Sequence, residues 1–194
     1  RKQIVTINMP LFAETSEVLI GLADGCLLEE APDYSRMTPI VYYGSSITQG
    51  GCASRPGMAY PNILAAKLGF DEINLGFSGN AKAELPIMNY LASLEMSLFV
   101  YDYDHNAYSV DFLRDTHEQA FKQIREAHPE LPIIMMPRPR YYMSPDEVNR
   151  FEIIKNTYNN AIAAGDKNVY LIDGKTLCAL CGAEGTVDLC HPND

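Results

Sequence analysis

The chain has 194 residues, of which 47% are hydrophobic, and 25 acidic side chains against 15 basic ones give a formal net charge of −10. The length suits one full domain plus a fragment, and the acidic balance argues against nucleic acid and anionic membranes as partners. No apolar run reaches the roughly 18 residues that a membrane-spanning helix needs.

The first 38 residues stand apart. Gln3-Ile4-Val5-Thr6-Ile7 and Val18-Leu19-Ile20-Gly21-Leu22 read as strands, separated by Pro, Gly and acidic residues. They are expected to form a short β extension, the tail of an upstream β domain. The N-terminus lacks the apolar core of a signal peptide and begins with Arg1 rather than Met, so upstream residues are expected to have been removed. The compartment stays open between cytoplasmic, periplasmic and secreted.

From residue 39 onward, short apolar runs alternate with helical spacing. The runs are Ile40–Tyr43, Ile73–Phe77, Ser97–Tyr101, Ile133–Met136 and Val169–Ile172. Each is too short for a helix, and most are rich in β-branched or aromatic residues. Between them, Tyr60, Ile63, Leu64 and Leu68 mark one helical face, with Gly69 as a stop. Leu85, Met88, Leu91 and Leu94 mark a second, and Phe112 to Ala127 a third. Ser144-Pro145-Asp146-Glu147 opens a fourth helix with a capping box and a first-turn proline, and Gly165 ends it. Strands alternating with helices predict a five-stranded parallel sheet in a three-layer, doubly wound α/β fold. Such folds bind ligands beyond the carboxyl ends of their strands.

The strand ends carry Gly44-Ser45-Ser46-Ile47-Thr48, then Phe77-Ser78-Gly79-Asn80, then Asp102-Tyr103-Asp104-His105-Asn106. Pro137-Arg138-Pro139-Arg140-Tyr141-Tyr142 follows the fourth strand, and Asp188-Leu189-Cys190-His191-Pro192 lies near the chain end. These pieces suit acyl transfer. A serine hydroxyl attacks only when a base takes its proton. His191, with Asp188 three residues before it, can be that base and its orienting carboxylate. Backbone N–H groups of Ser46 and Gly79 and the amide of Asn106 can stabilise an oxyanion.

Taken singly, most of these residues have plainer readings. Ser46 could cap a helix, Gly79 could serve a turn, Asn106 could cap the next segment, and His191 could be a solvated histidine. Asp102, Asp104, His105, Asp188 and His191 could be read as metal ligands, but no spacing is diagnostic. Cys178-x-x-Cys181 with Cys190 could suggest zinc or redox work, but without a second pair ordinary thiols are the better reading. No metal site and no cofactor is expected.

Together the segments resemble the SGNH (GDSL-type) hydrolase family, and a bacterial subgroup of it that carries a small β domain upstream. The resemblance covers residues 39–194 and rests on four blocks in order plus the longer run from Tyr43 to Pro61. It implies a flavodoxin-like fold, Ser46 as nucleophile, Gly79 and Asn106 as oxyanion partners, and His191 with Asp188 as base and acid. Two blocks depart from the family pattern. Gly-Asp-Ser reads Gly44-Ser45-Ser46, and Gly-x-Asn-Asp reads Asp104-His105-Asn106-Ala107. The family also usually continues into a further helix past the position of Asp194. The implied activity is a serine esterase acting on short acyl or acetyl esters of small molecules or carbohydrate, with no cofactor. An acyltransferase with the same triad and a non-catalytic carbohydrate-binding module are the alternatives. Arg55, Arg138 and Tyr141, together with Arg140 and Tyr142, are the candidate substrate contacts; oligomeric state is left open.

Overall fold

The structure, a computed structural model, describes residues 2–194. Five strands form one parallel sheet: β1 (Arg36–Gly44), β2 (Phe70–Gly76), β3 (Leu98–Asp102), β4 (Ile133–Met135) and β5 (Val169–Leu171), in the order β2-β1-β3-β4-β5. That is the flavodoxin-like order, with its topological switch between β1 and β3. The helices are α1 (Ser46–Gln49), α2 (Tyr60–Leu68), α3 (Leu85–Ser93), α4 (Val110–Ala127), α5 (Pro145–Ala163) and α6 (Gly174–Leu177). All five strands expected of the sheet and all four expected helices form. Ser144 and Glu147 make the full capping box at the start of α5.

The core follows from strand alternation. Val41 and Tyr43 of β1, Phe99 and Tyr101 of β3, Ile133 and Met135 of β4 and Val169 of β5 face one side of the sheet. There they pack on Met88 and Leu91 of α3, Leu113, Phe121 and Ile124 of α4, and Ile154 of α5. The residues between them, Tyr42, Val100 and Ile134, face the other side and form a smaller cluster with Tyr60 of α2. Burying these side chains is worth roughly 1.5–3 kcal/mol each before chain entropy is charged against it. The sheet is therefore anchored mainly by its α3–α5 face.

The strands expected at 3–7 and 18–22 do not form. Among residues 2–35 there is no helix or strand, and apart from Leu11 every residue is exposed. Ile4, Val5 and Leu19 point their apolar side chains into solvent at 68%, 75% and 83% exposure. An apolar, β-branched run states that a segment could be a strand, but a strand exists only where a neighbour completes its backbone hydrogen bonds. Neither sheet edge recruits this segment. Its chief anchor lies at α1, where Gln49 Nε2 donates to the Leu11 carbonyl at 2.8 Å.

Candidate active site

The register of the sheet places three loops side by side. Gly44 at the end of β1 pairs with Gly76 of β2 and with Asp102 of β3. The segments starting at Ser45, Phe77 and Tyr103 therefore leave the sheet at one level, around the switch point. Glycine is required at both inner ends. A Cβ on Gly44 would sit 2.0 Å from Thr48 Oγ1, and one on Gly76 would sit 2.2 Å from Gln49 N. Helix α1 thus packs directly onto the strand ends.

Ser45, not Ser46, caps this helix. Its side chain accepts from Ile47 N at 3.1 Å, and the residue is fully buried. Serine and aspartate are comparably good N-caps, so Ser45 supplies the acceptor oxygen that an aspartate could provide there. Ser46 is left free to face outward. Its Oγ lies 2.8 Å from His191 Nε2, across 145 residues of chain. Two further contacts hold α1. Thr48 Oγ1 donates to Asp102 Oδ2 at 2.9 Å. Gln49 Oε1 accepts from Ser78 N at 2.9 Å, pinning the loop that carries Gly79.

The Asp188–His191 pair is made locally. Leu189 adopts a left-handed φ of 62°, and the turn is closed by Val187 N donating to His191 O at 2.9 Å. Asp188 Oδ1 accepts from the N–H groups of Cys190 and His191, and Asp188 Oδ2 lies 2.7 Å from His191 Nδ1. Hydrogen bonds from the His191 backbone and ring hold the Asp188 carboxyl down at about 2. An ionised carboxylate only accepts, so Nδ1 carries the hydrogen, Nε2 has the free lone pair, and the Ser46 hydroxyl is the donor.

The third loop brings Asn106. Its Oδ1 accepts from Ala81 N at 3.0 Å, which orients the amide and leaves Nδ2 unengaged among the described residues. Gly79 sits at φ 72° with open space around it, and its N–H makes no hydrogen bond among the described residues. The N–H of Ser46, first in α1, has no intrahelical partner either.

Arg138 departs from expectation. Its guanidinium forks onto Asp104, Nε to Oδ2 at 2.8 Å and Nη2 to Oδ1 at 3.1 Å, and reaches Glu147 at 3.4 Å. Arg150 adds contacts to the Asp104 and Ala107 carbonyls at 3.2 and 2.9 Å. Burial opposes ionisation of Asp104, but hydrogen bonds and charge from Arg138 outweigh it and hold the carboxyl below its ordinary value. Arg138 therefore braces the Asn106 turn, with its guanidinium engaged by Asp104 and Glu147. The reason is Asp104: a carboxylate that is 1% exposed needs cations close by. Arg140 is likewise tied to Glu147, at 2.6 Å.

Arg55 remains exposed, 3.9 Å from Asp194. Tyr141 and Tyr142 meet edge-on and, with Leu189, border a cavity of about 270 Å³ beside the Asp188 turn. Asp102, Asp104 and His105 do not join Asp188 and His191 as a metal cluster. Burial lowers His105 to about 3, and Cys190 turns its sulfur towards His105, 3.7 Å from Nε2. Sequence spacing did not reveal two residues of this region, Thr48 and Gln49. Their partners lie far along the chain.

The family model for GDSL-like lipases/acylhydrolases matches residues 37–194. No curated protein matches the chain. Among solved structures, a protein described as a GDSL-like lipase from Bacteroides ovatus is 34% identical, with a TM-score of 0.73, covering 84% of this chain and 49% of its own. A salicylyl-acyltransferase, SsfX3, from a tetracycline biosynthetic pathway is 18% identical (TM-score 0.69; 85% and 51% covered). A family two carbohydrate esterase from Clostridium thermocellum, solved in complex with cellohexaose, is 17% identical (TM-score 0.63; 88% and 62% covered). The chain spans about half the length of the first two of these. Over four-fifths of its length, the chain belongs to the GDSL-like lipase/acylhydrolase family.

Proposed function

We propose that the chain is a serine esterase that hydrolyses carboxylic esters through an acyl-Ser46 intermediate. The observation that carries this reading is the unbroken relay from Asp188 through His191 to Ser46, with contacts of 2.7 and 2.8 Å. In this mechanism His191 Nε2 takes the Ser46 proton as Oγ attacks the ester carbonyl. The N–H groups of Ser46 and Gly79 and Nδ2 of Asn106 receive the oxyanion. The imidazolium, stabilised by Asp188, protonates the departing alcohol. Water then enters, His191 takes its proton, and a second tetrahedral intermediate collapses to release the acid and free Ser46.

Short acyl groups, acetyl above all, on carbohydrate are the proposed substrates. The exposed Tyr141–Tyr142 pair beside the Asp188 turn and the exposed Arg55 support a hydroxyl-rich alcohol portion. The carbohydrate esterase among the structural neighbours agrees with it. The acyltransferase neighbour favours a second reading, in which an alcohol replaces water in the deacylation step. The residues ahead of β1 are read as the tail of an upstream domain.

The decisive test is labelling by a fluorophosphonate, followed by mass mapping. One label on Ser46, abolished in Ser46→Ala, is expected. No labelling of the wild type sinks the covalent mechanism and returns the chain to a non-catalytic carbohydrate-binding module. Product analysis on acetylated oligosaccharides, with and without alcohol acceptors, separates hydrolysis from transfer.

A further inference from the structure

One thiol lies against the Asp188–His191 pair and has no part in the relay. Cys52 is half-buried and free, in the loop between α1 and α2. Gly51 brings that loop in, because its backbone comes close to the imidazole: a Cβ there would be 3.1 Å from His191 Cδ2. The Cys52 sulfur, a carboxylate oxygen of Asp188 and a ring nitrogen of His191 all lie within 4.8 Å of one another. It is the one such group among the described residues.

We propose that Cys52, Asp188 and His191 form a site for a thiophilic divalent cation, Zn²⁺ or Cd²⁺, that shuts the relay off. The ligand types choose the ion. Thiolate with imidazole and carboxylate suits zinc, whereas Mg²⁺ and Ca²⁺ prefer all-oxygen sets. Around a tetrahedral zinc, with bonds of about 2.0–2.3 Å, ligand atoms sit roughly 3.3–3.6 Å apart, so rotations of about 1 Å close the set. The fourth position is left for water. Binding displaces the thiol proton to solvent and forms the sulfur–metal bond, with no change of oxidation state. The ion also takes a lone pair of His191. At Nε2 this is the pair that faces Ser46; at Nδ1 the ring proton must first shift to Nε2, and the hydrogen bond to Asp188 is lost. Either way the base is disabled, and a chelator restores it.

The test has two arms, because the inhibition readout rests on the esterase reading and the binding readout does not. In the first, p-nitrophenyl acetate hydrolysis is titrated with Zn²⁺. Wild type is expected to lose activity and recover it fully with EDTA. Cys52→Ala should match wild-type turnover in EDTA, yet need at least about tenfold more Zn²⁺ for half-inhibition, since even an outer-shell partner is worth roughly 10- to 100-fold in metal affinity. In the second, Cd²⁺ is followed by its thiolate charge-transfer absorption. Cys52→Ala and His191→Ala should each lose one equivalent that Ser46→Ala retains. Equal Zn²⁺ inhibition of wild type and Cys52→Ala, or an unchanged Cd²⁺ signal in Cys52→Ala, overturns the site. If no hydrolysis is found at all, the Cd²⁺ arm still decides. Should Cys52→Ala fold poorly, Cys52→Ser, a far weaker ligand of similar size, replaces it in both arms.

Discussion

At the scale of single residues, the site divides its labour between neighbours. Ser45 is spent on the cap, which leaves the Ser46 hydroxyl free to meet His191 Nε2. Ser45→Ala should therefore cost about 0.5–2 kcal/mol of stability, because Ile47 N–H loses its acceptor. Equal urea midpoints for wild type and Ser45→Ala would refute the cap's worth. Ser46→Ala and His191→Ala should each lower turnover on p-nitrophenyl acetate by about 10⁴ to 10⁶. Asn106→Ala should lower kcat by about 10² to 10³ if Nδ2 meets the oxyanion, and a loss below about threefold removes it from that role. Asn106 was legible in the sequence as a residue type at a strand end and, through the family resemblance, as an oxyanion partner. What orients it, the Ala81 N–H, comes from the loop after a different strand and leaves no trace in local spacing.

At the scale of elements, the sequence announces what local forces fix. The capping box at Ser144, the glycine stop at Gly69 and the short apolar runs of β1 and β3 all act over a few residues, and all appear where expected. Arg138 shows the opposite case. Its spacing placed it correctly in a loop after β4, but charge alone could not tell an outward-facing arginine from a buried brace. The deciding partner, Asp104, is 34 residues away. Arg138→Ala should therefore act on stability and not on substrate affinity. Taking away one partner of a buried ion pair typically costs about 3–5 kcal/mol. Here Arg150 remains beside Asp104, so the lower end of that range is expected, with KM changed less than about twofold for a soluble acetyl ester. A large KM rise with unaltered urea stability would return Arg138 to the substrate.

At the scale of the whole molecule, burial sets how stability depends on pH. His105 and His117 are held neutral, both lowered to about 3 from 6.5. Burial raises Glu147, but hydrogen bonds from Ser144 and Arg140 outweigh it and lower the carboxyl from 4.5 to about 2. Each of these binds more protons unfolded than folded inside its window, so each favours unfolding as pH falls from its ordinary value towards the lowered one. Burial raises Asp102 from 3.8 to about 8 and Glu72 from 4.5 to about 7. These two bind more protons folded than unfolded, so they favour unfolding as pH rises through the same interval. Between about 4.5 and 6.5 the two histidines and the two acids offset one another. The expected Tm profile is a plateau from about pH 4.5 to 6.5, with a fall on the acid side and a second fall between about 6.5 and 8. Thermal unfolding followed across that range checks it; a Tm that climbs steadily to pH 8 contradicts it. Asp102→Asn, which keeps the Thr48 contact without a titrating proton, should flatten the alkaline fall.

The sequence by itself determined the alternation of strands and helices, hence the parallel sheet, and the residue types that stand at its strand ends. Those follow from interactions between residues close along the chain: hydrophobic period, caps and turn glycines. Only the tertiary structure decided which of those residues meet. It joined Ser46 to His191, put Ser45 under the helix and turned Arg138 inward to Asp104. It also set Cys52 against the imidazole and left residues 2–35 without the strands their apolar runs suggested. In each case the deciding partner is distant in sequence, or, for the unformed strands, no neighbour completes the pairing. Local pattern cannot encode a contact whose other half the folded sheet alone supplies.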